Sequence, residues 1–149
     1  MPTANPTPPI SGFTGKFHNY EKALQRLQEA IDAVRLEPDN DLYRDALIQR
    51  YEFTWELAWK TLKEYMQESG LEFEATPRAT LKKAFQHNLI TAEEGWLASI
   101  KGRNLLAHTY DEGTANQVAQ NVIGVYNQIF TDLYHKLKAI YDNEYPNAK

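Results

Sequence analysis

Apolar residues recur along this chain at helical spacing and nowhere in the alternation of a strand. Phe17, Tyr20, Leu24, Leu27, Ile31 and Val34 follow one another at intervals of 3, 4, 3, 4 and 3, a narrow seam on one helix face. Pro38 ends that helix, and the run Pro-Asp-Asn-Asp offers Asp39 or Asn40 as the next N-cap. A second helix is expected from Leu42 to Ser69, closed by Gly70 in the C′ position. It carries Tyr43, Tyr51, Phe53, Trp55, Trp59 and Tyr65, and its apolar positions reach most of the way round. Such a helix is central, or central with a partner surface.

Thr76 and Pro77 read as N-cap and first residue of a short helix to about Gln86, and His-Asn-Leu-Ile as a turn. Thr91 to Glu94 has the pattern of a capping box, and the helix it starts carries Trp96, Leu97, Ile100 and, near its end, Leu105. A second capping box at Thr114 opens the last helix. There Val118, Val122, Val125, Tyr126, Ile129, Leu133, Leu137 and Ile140 form the apolar face. The expectation is all-α: an antiparallel four- to five-helix up-and-down bundle in one domain, residues 16–149. Residues 1–15 hold four of the seven prolines and little that packs, and read as a flexible tail.

Composition narrows the function classes. The 149 residues suit one core, and 42% hydrophobic with 24% charged residues is ordinary for a globular protein. No apolar run approaches the roughly 20 residues of a membrane span, so no membrane role is expected. Zero cysteines fit a reducing, cytoplasmic setting and exclude thiolate metal sites. A net charge of −4 argues against a broad basic surface for nucleic acid, though not against a local patch.

The polar residues at the end of the fourth helix then stand out. Arg103, His108 and Tyr110 fit the pattern R-x4-H-x-Y, which the chain's own Arg, His and Tyr counts would produce by chance about 0.01 times. On a regular helix Arg103 and Tyr110 share a face, whereas His108 lies roughly 140° round the axis from Arg103. They converge if the helix ends near Leu106, or if a second subunit supplies half of the site. The groups suit RNA cleavage without a metal. A histidine moves a proton near neutrality, an arginine holds a phosphate with two parallel hydrogen bonds, and a tyrosine stacks on a base or donates to phosphate. No carboxylate cluster calls for a metal, and no cofactor is implied. The plainer alternatives are a histidine suited to a helix C-terminus, a surface ion-pairing arginine and a half-buried tyrosine.

The string Arg-Asn-Leu-Leu-Ala-His-Thr-Tyr resembles the R-x4-H-x-Y signature of the HEPN superfamily of small helical proteins. Leu47 to Tyr65 resembles the long helix of one HEPN branch, the nucleotidyltransferase substrate-binding or HepT-like family. The likeness spans about Phe17 to Ile140. It implies a homodimer partnered by a separately encoded minimal nucleotidyltransferase, as in toxin–antitoxin pairs. It further implies a metal-independent endoribonuclease silenced by transfer of AMP to the signature tyrosine. Carried over, Arg103 and His108 become the candidate catalytic pair, Tyr110 the candidate AMP acceptor or RNA contact, and Asn104 a supporting polar residue. Glu52, Glu56 and Lys60 share a helix face, either as a solvated salt-bridged stripe or with Glu56 orienting Arg103 or His108 across the bundle. Trp55 and Trp59 are expected in the core or a dimer interface rather than as base-stacking platforms. The alternative function is a non-catalytic substrate- or nucleotide-binding subunit of the nucleotidyltransferase.

Overall fold

A computed structural model describes residues 12–108 and 111–145, with His108 described by its backbone alone. Among these residues every regular element is helical: α1 (Gly12–Leu36), α2 (Asp41–Glu68), α3 (Pro77–Gln86), α4 (Glu93–His108), α5 (Glu112–Asn121), a π-helical turn (Val122–Tyr126) and α6 (Asn127–Glu144). The helix-bundle expectation holds.

The boundaries follow from local chemistry. Asn40 caps α2 by accepting from the Tyr43 amide, and Thr76 caps α3 by accepting from the Ala79 amide, with Pro77 first in the helix. At the end of α2, Gly70 takes φ +85° and its amide donates to Gln67 while the Leu71 amide donates to Met66. This is the paired closure that a left-handed C′ residue permits, and glycine adopts it without a Cβ penalty. Asn88 (φ 60°) ends α3 in the same way, donating to Phe85 while Leu89 donates to Ala84.

Three helix starts and two helix faces differ from the sequence reading. Helix α1 starts at Gly12, inside the tail expected over residues 1–15. Phe13 is fully buried among Phe17, Tyr65 and Tyr145, and its amide donates to Glu68 Oε2 at 2.9 Å. A carboxylate 55 residues away satisfies a first-turn amide, which no local signal reveals. Residues 1–11 lie outside the described residues. Helix α4 takes Ala92 as its N-cap, since the Trp96 amide bonds to Ala92, so the Thr91 capping box falls one residue early. Helix α5 is capped by Asp111, whose carboxylate accepts from both the amide and the hydroxyl of Thr114; Thr114 is a donor to the cap. Finally, Leu106 is buried and Leu105 exposed, and Val125 is exposed on the last rod.

The π turn explains Val125. Core residues Val118, Val122, Tyr126 and Phe130 are four apart, and three such steps on a regular α-helix would drift about 120° round the axis. The wider i→i+5 turn absorbs the drift and keeps these side chains on one side, which continues through Leu133, Leu137 and Tyr141.

Helices α1 and α2 form an antiparallel hairpin in close approach. Thr54 and Thr61 each donate chiefly to their own helix, with second contacts to the Ala23 and Lys16 carbonyls of α1. The α5–α6 rod lies antiparallel to α1, tied by Tyr20 Oη donating to the Phe130 carbonyl at 2.6 Å and by Gln28 to Asn127. Trp55 and Trp59 lie in the core, as expected.

Candidate functional site

Helix α4 presents Trp96, Ser99, Gly102 and Leu106 to the bundle, spaced 3, 3 and 4. Two of these carry almost no apolar area, so directional bonds hold the helix instead. Tyr51 Oη donates to the Ser99 carbonyl at 2.8 Å, and Tyr126 Oη to the Ala98 carbonyl at 3.1 Å. Trp55 Nε1 donates to Ser99 Oγ at 3.0 Å, and that hydroxyl donates on to the Trp96 carbonyl at 2.6 Å. The Tyr51 and Tyr126 rings stack at 5.3 Å, and both hydroxyls crowd Gly102, where a Cβ would stand 3.1 Å from Tyr126 Oη. Glycine is what lets α4 sit this close to the ring pair.

The next residue is Arg103. Its guanidinium lies over the Trp55 ring, 5.9 Å from the centroid, and Nη2 is 3.6 Å from Glu56 Oε1. Glu56 spends its other oxygen on Trp59 Nε1 at 3.3 Å and Lys60 Nζ at 3.4 Å. Glu56 thus pairs with Arg103 across the bundle and with Lys60 along its own helix. Both partners are about a third exposed (27% and 34%), so the ion pair adds little stability; its consequence is where the arginine points. Arg103 Nε is buried with no hydrogen-bond partner among the described residues. Burial pushes the Tyr51 hydroxyl far above its ordinary range, with nearby Tyr126 adding to the rise and Arg103 opposing it.

The backbone of the signature is described only as far as His108. Helix α4 stays helical through His108, so it does not end near Leu106 as one sequence reading required. Five residues of regular helix leave His108 roughly 140° round the axis from Arg103. The His108 side chain and Tyr110 lie outside the described residues. Asn104 is exposed and lines a shallow groove with Arg78, Leu97, Ile100, Lys101 and Leu105, while Arg103 turns to Glu56. Sequence reasoning missed Tyr51, Tyr126, Ser99 and Gly102 as the residues that set the height of Arg103. Only the small-residue spacing of Ser99 and Gly102 hinted at a close helix contact.

Residues 15–139 match the family model described as nucleotidyltransferase substrate binding protein like. The chain belongs to that family. Its fold is the HEPN helical fold, and solved structures bear this out. A Thermus thermophilus protein is 31% identical, with a TM-score of 0.70, over 80% of this chain and 98% of that one. A tri-AMPylated Shewanella oneidensis HEPN toxin in complex with MNT antitoxin is 17% identical with the same TM-score, over 85% and 96%. A mutant of the toxin–antitoxin pair MntA–HpeT is 16% identical with a TM-score of 0.63, over 85% and 98%. Among proteins with curated functions, none matches the chain in sequence. Among the described residues, no helix of this family member is long and apolar enough to cross a membrane.

Proposed function

We propose that this HEPN-family chain is the toxin of a toxin–antitoxin pair, an endoribonuclease that needs no metal and is controlled by a separately encoded minimal nucleotidyltransferase. The observation that carries the proposal is the fixing of Arg103 by Glu56 and Trp55 on the helix that also bears His108. In the reaction, the 2′-oxygen of the RNA bonds to the adjacent phosphorus as the bond to the 5′-oxygen breaks. His108 takes the 2′-hydroxyl proton or returns one to the 5′-oxygen, and Arg103 stabilises the charge that grows on the phosphoryl oxygens. Because position 108 lies roughly 140° round a regular helix from position 103, the site joins Arg103 of one copy to His108 of a second in a homodimer.

Control follows from Tyr110. Its phenolic oxygen attacks the α-phosphorus of ATP on the nucleotidyltransferase, pyrophosphate leaves, and the attached AMP sets a bulky anion beside Arg103. The AMPylated Shewanella toxin with its MNT antitoxin and the MntA–HpeT pair support this reading by analogy. The spacing of positions 103 and 108 on one regular helix also fits a second reading, a non-catalytic substrate-binding subunit.

The test uses purified, partner-free protein and a labelled single-stranded RNA. Cleavage is expected from wild type and absent from His108→Ala; equal activity in both, or none in either, counts against a ribonuclease that works through His108. Incubation with the nucleotidyltransferase and ATP is expected to add AMP mass that Tyr110→Phe abolishes.

A further inference from the structure

Phe53 lies in the middle of α2 with 60% of its surface exposed, flanked by cations on one side and by Glu56 on the other. Between α1 and α2 runs a groove of ≈700 Å³ lined by Lys22, Arg26, Arg50 and Phe53 together with the amides Asn19 and Gln25. An adjoining depression adds Gln49 and shares Arg26, Arg50 and Phe53. Arg50 is held in place, donating to the Arg26 carbonyl at 2.7 Å and standing 3.5 Å from Glu29, while Lys22 and Arg26 are exposed and make no ion pair among the described residues. Phe53 and Glu56 are one turn apart on the same helix and hence neighbours on its surface. The groove thus ends at Phe53, one helix turn from the Arg103–Glu56–Lys60 cluster. Taken together, the groove and the cluster hold Lys22, Arg26, Arg50, Lys60 and Arg103 against the carboxylates Glu29 and Glu56, an excess of positive charge on a chain whose net charge is −4.

We infer that this groove is the binding track for single-stranded RNA, with Phe53 as the platform on which one base stacks. The inference rests on the ribonuclease reading and extends it by naming where the strand lies on the way to Arg103. An exposed ring among arginine, lysine and amide side chains is the composition that grips unpaired bases and backbone together: the ring takes any base by its face, the cations take phosphates, and the amides reach base edges. A duplex would hide its base faces from such a ring. A patch built to bind a second copy of this chain would carry more apolar area around Phe53 than Lys22, Arg26 and Gln49 supply.

Fluorescence anisotropy with a labelled single-stranded RNA of mixed sequence tests the track, with cleavage assayed in parallel. Relative to the wild-type chain, Phe53→Ala and Phe53→Leu are expected to bind at least about five-fold more weakly, while Phe53→Trp keeps the affinity. The pair Lys22→Gln with Arg26→Gln is expected to reduce the slope of log affinity against log salt by about one. A Phe53→Leu variant that binds like wild type, or a Phe53→Ala variant that sediments as a smaller species, overturns the track; the latter would assign the ring to contact between copies. Phe53-dependent binding without cleavage by wild type supports the track while counting against the ribonuclease. His108-dependent cleavage with binding indifferent to Phe53 and Arg26 rejects the track and leaves the ribonuclease standing.

Discussion

Helix α1 meets the bundle through Phe17, Tyr20, Leu24, Leu27 and Ile31, a continuous apolar seam, whereas α4 meets it through Ser99 and Gly102 and through donors carried on the rings of Tyr51, Trp55 and Tyr126. Burial is nondirectional and tolerates small shifts. Hydrogen bonds from stacked rings to the Ala98 and Ser99 carbonyls fix α4 along and around its axis. The hairpin thus supplies a large share of the burial, and the ring-borne donors supply the position of Arg103 one residue beyond Gly102. Trp55 belongs to both regions, with its body in the core, its Nε1 on Ser99 and its face under the guanidinium.

Substitution at Trp55 is the strongest way to strain the distinction. Trp55→Ala is expected to cost about 3–5 kcal/mol of stability in urea unfolding, and Leu27→Ala about 2–5 kcal/mol. The folded fraction of Leu27→Ala should keep RNA cleavage, while that of Trp55→Ala should lose it. Equal losses of cleavage in both would erase the difference between the regions.

Glu56→Gln sharpens it from the other side. Stability is expected to change by less than about 1 kcal/mol, because the pair with Arg103 is partly exposed. Cleavage should fall about ten-fold or more, since the guanidinium loses its orientation. A drop in stability with cleavage intact would make Glu56 a structural residue only.

Tyr51→Phe removes one of the α4 tethers and is expected to cost about 1 kcal/mol at neutral pH. It also changes the response to alkali. Burial raises the hydroxyl's folded value, so its contribution is complete below the unfolded value of about 10 and is lost as pH rises beyond it. The fall in the urea midpoint above that pH should be shallower in Tyr51→Phe. Buried Tyr20 is raised in the same way and leaves a residual slope. An unchanged slope would mean that Tyr51 is not buried as described.

How far the sequence reveals this follows from what each region is made of. The seam of α1, the Asn40 and Thr76 caps and the Gly70 stop are local and apolar or stereochemical signals, and they read correctly. The start of α1 escapes a local reading because Phe13 and its amide are satisfied by α2 and Tyr145, far away in the chain. The inner face of α4 misleads at Leu105 because Ser99 and Gly102 are buried there without being apolar. The Arg103–Glu56 contact is only one of two readings, since i, i+4 spacing alone does not say which neighbour a carboxylate takes. The exposed Phe53 is invisible within an aromatic-rich helix, where periodicity does not separate the rings that pack from those, Tyr43 and Phe53, that face out.

Mixing two inactive variants tests directly whether one copy's Arg103 works with a second copy's His108. Arg103→Ala and His108→Ala proteins are each expected to be inactive on single-stranded RNA. Unfolded together, refolded and assayed at equal amounts, they should form mixed dimers with one intact site, recovering about a quarter of wild-type activity per chain. A mixture that assembles as dimers yet stays as inactive as its components, beside an active wild type, would contradict a site shared between copies.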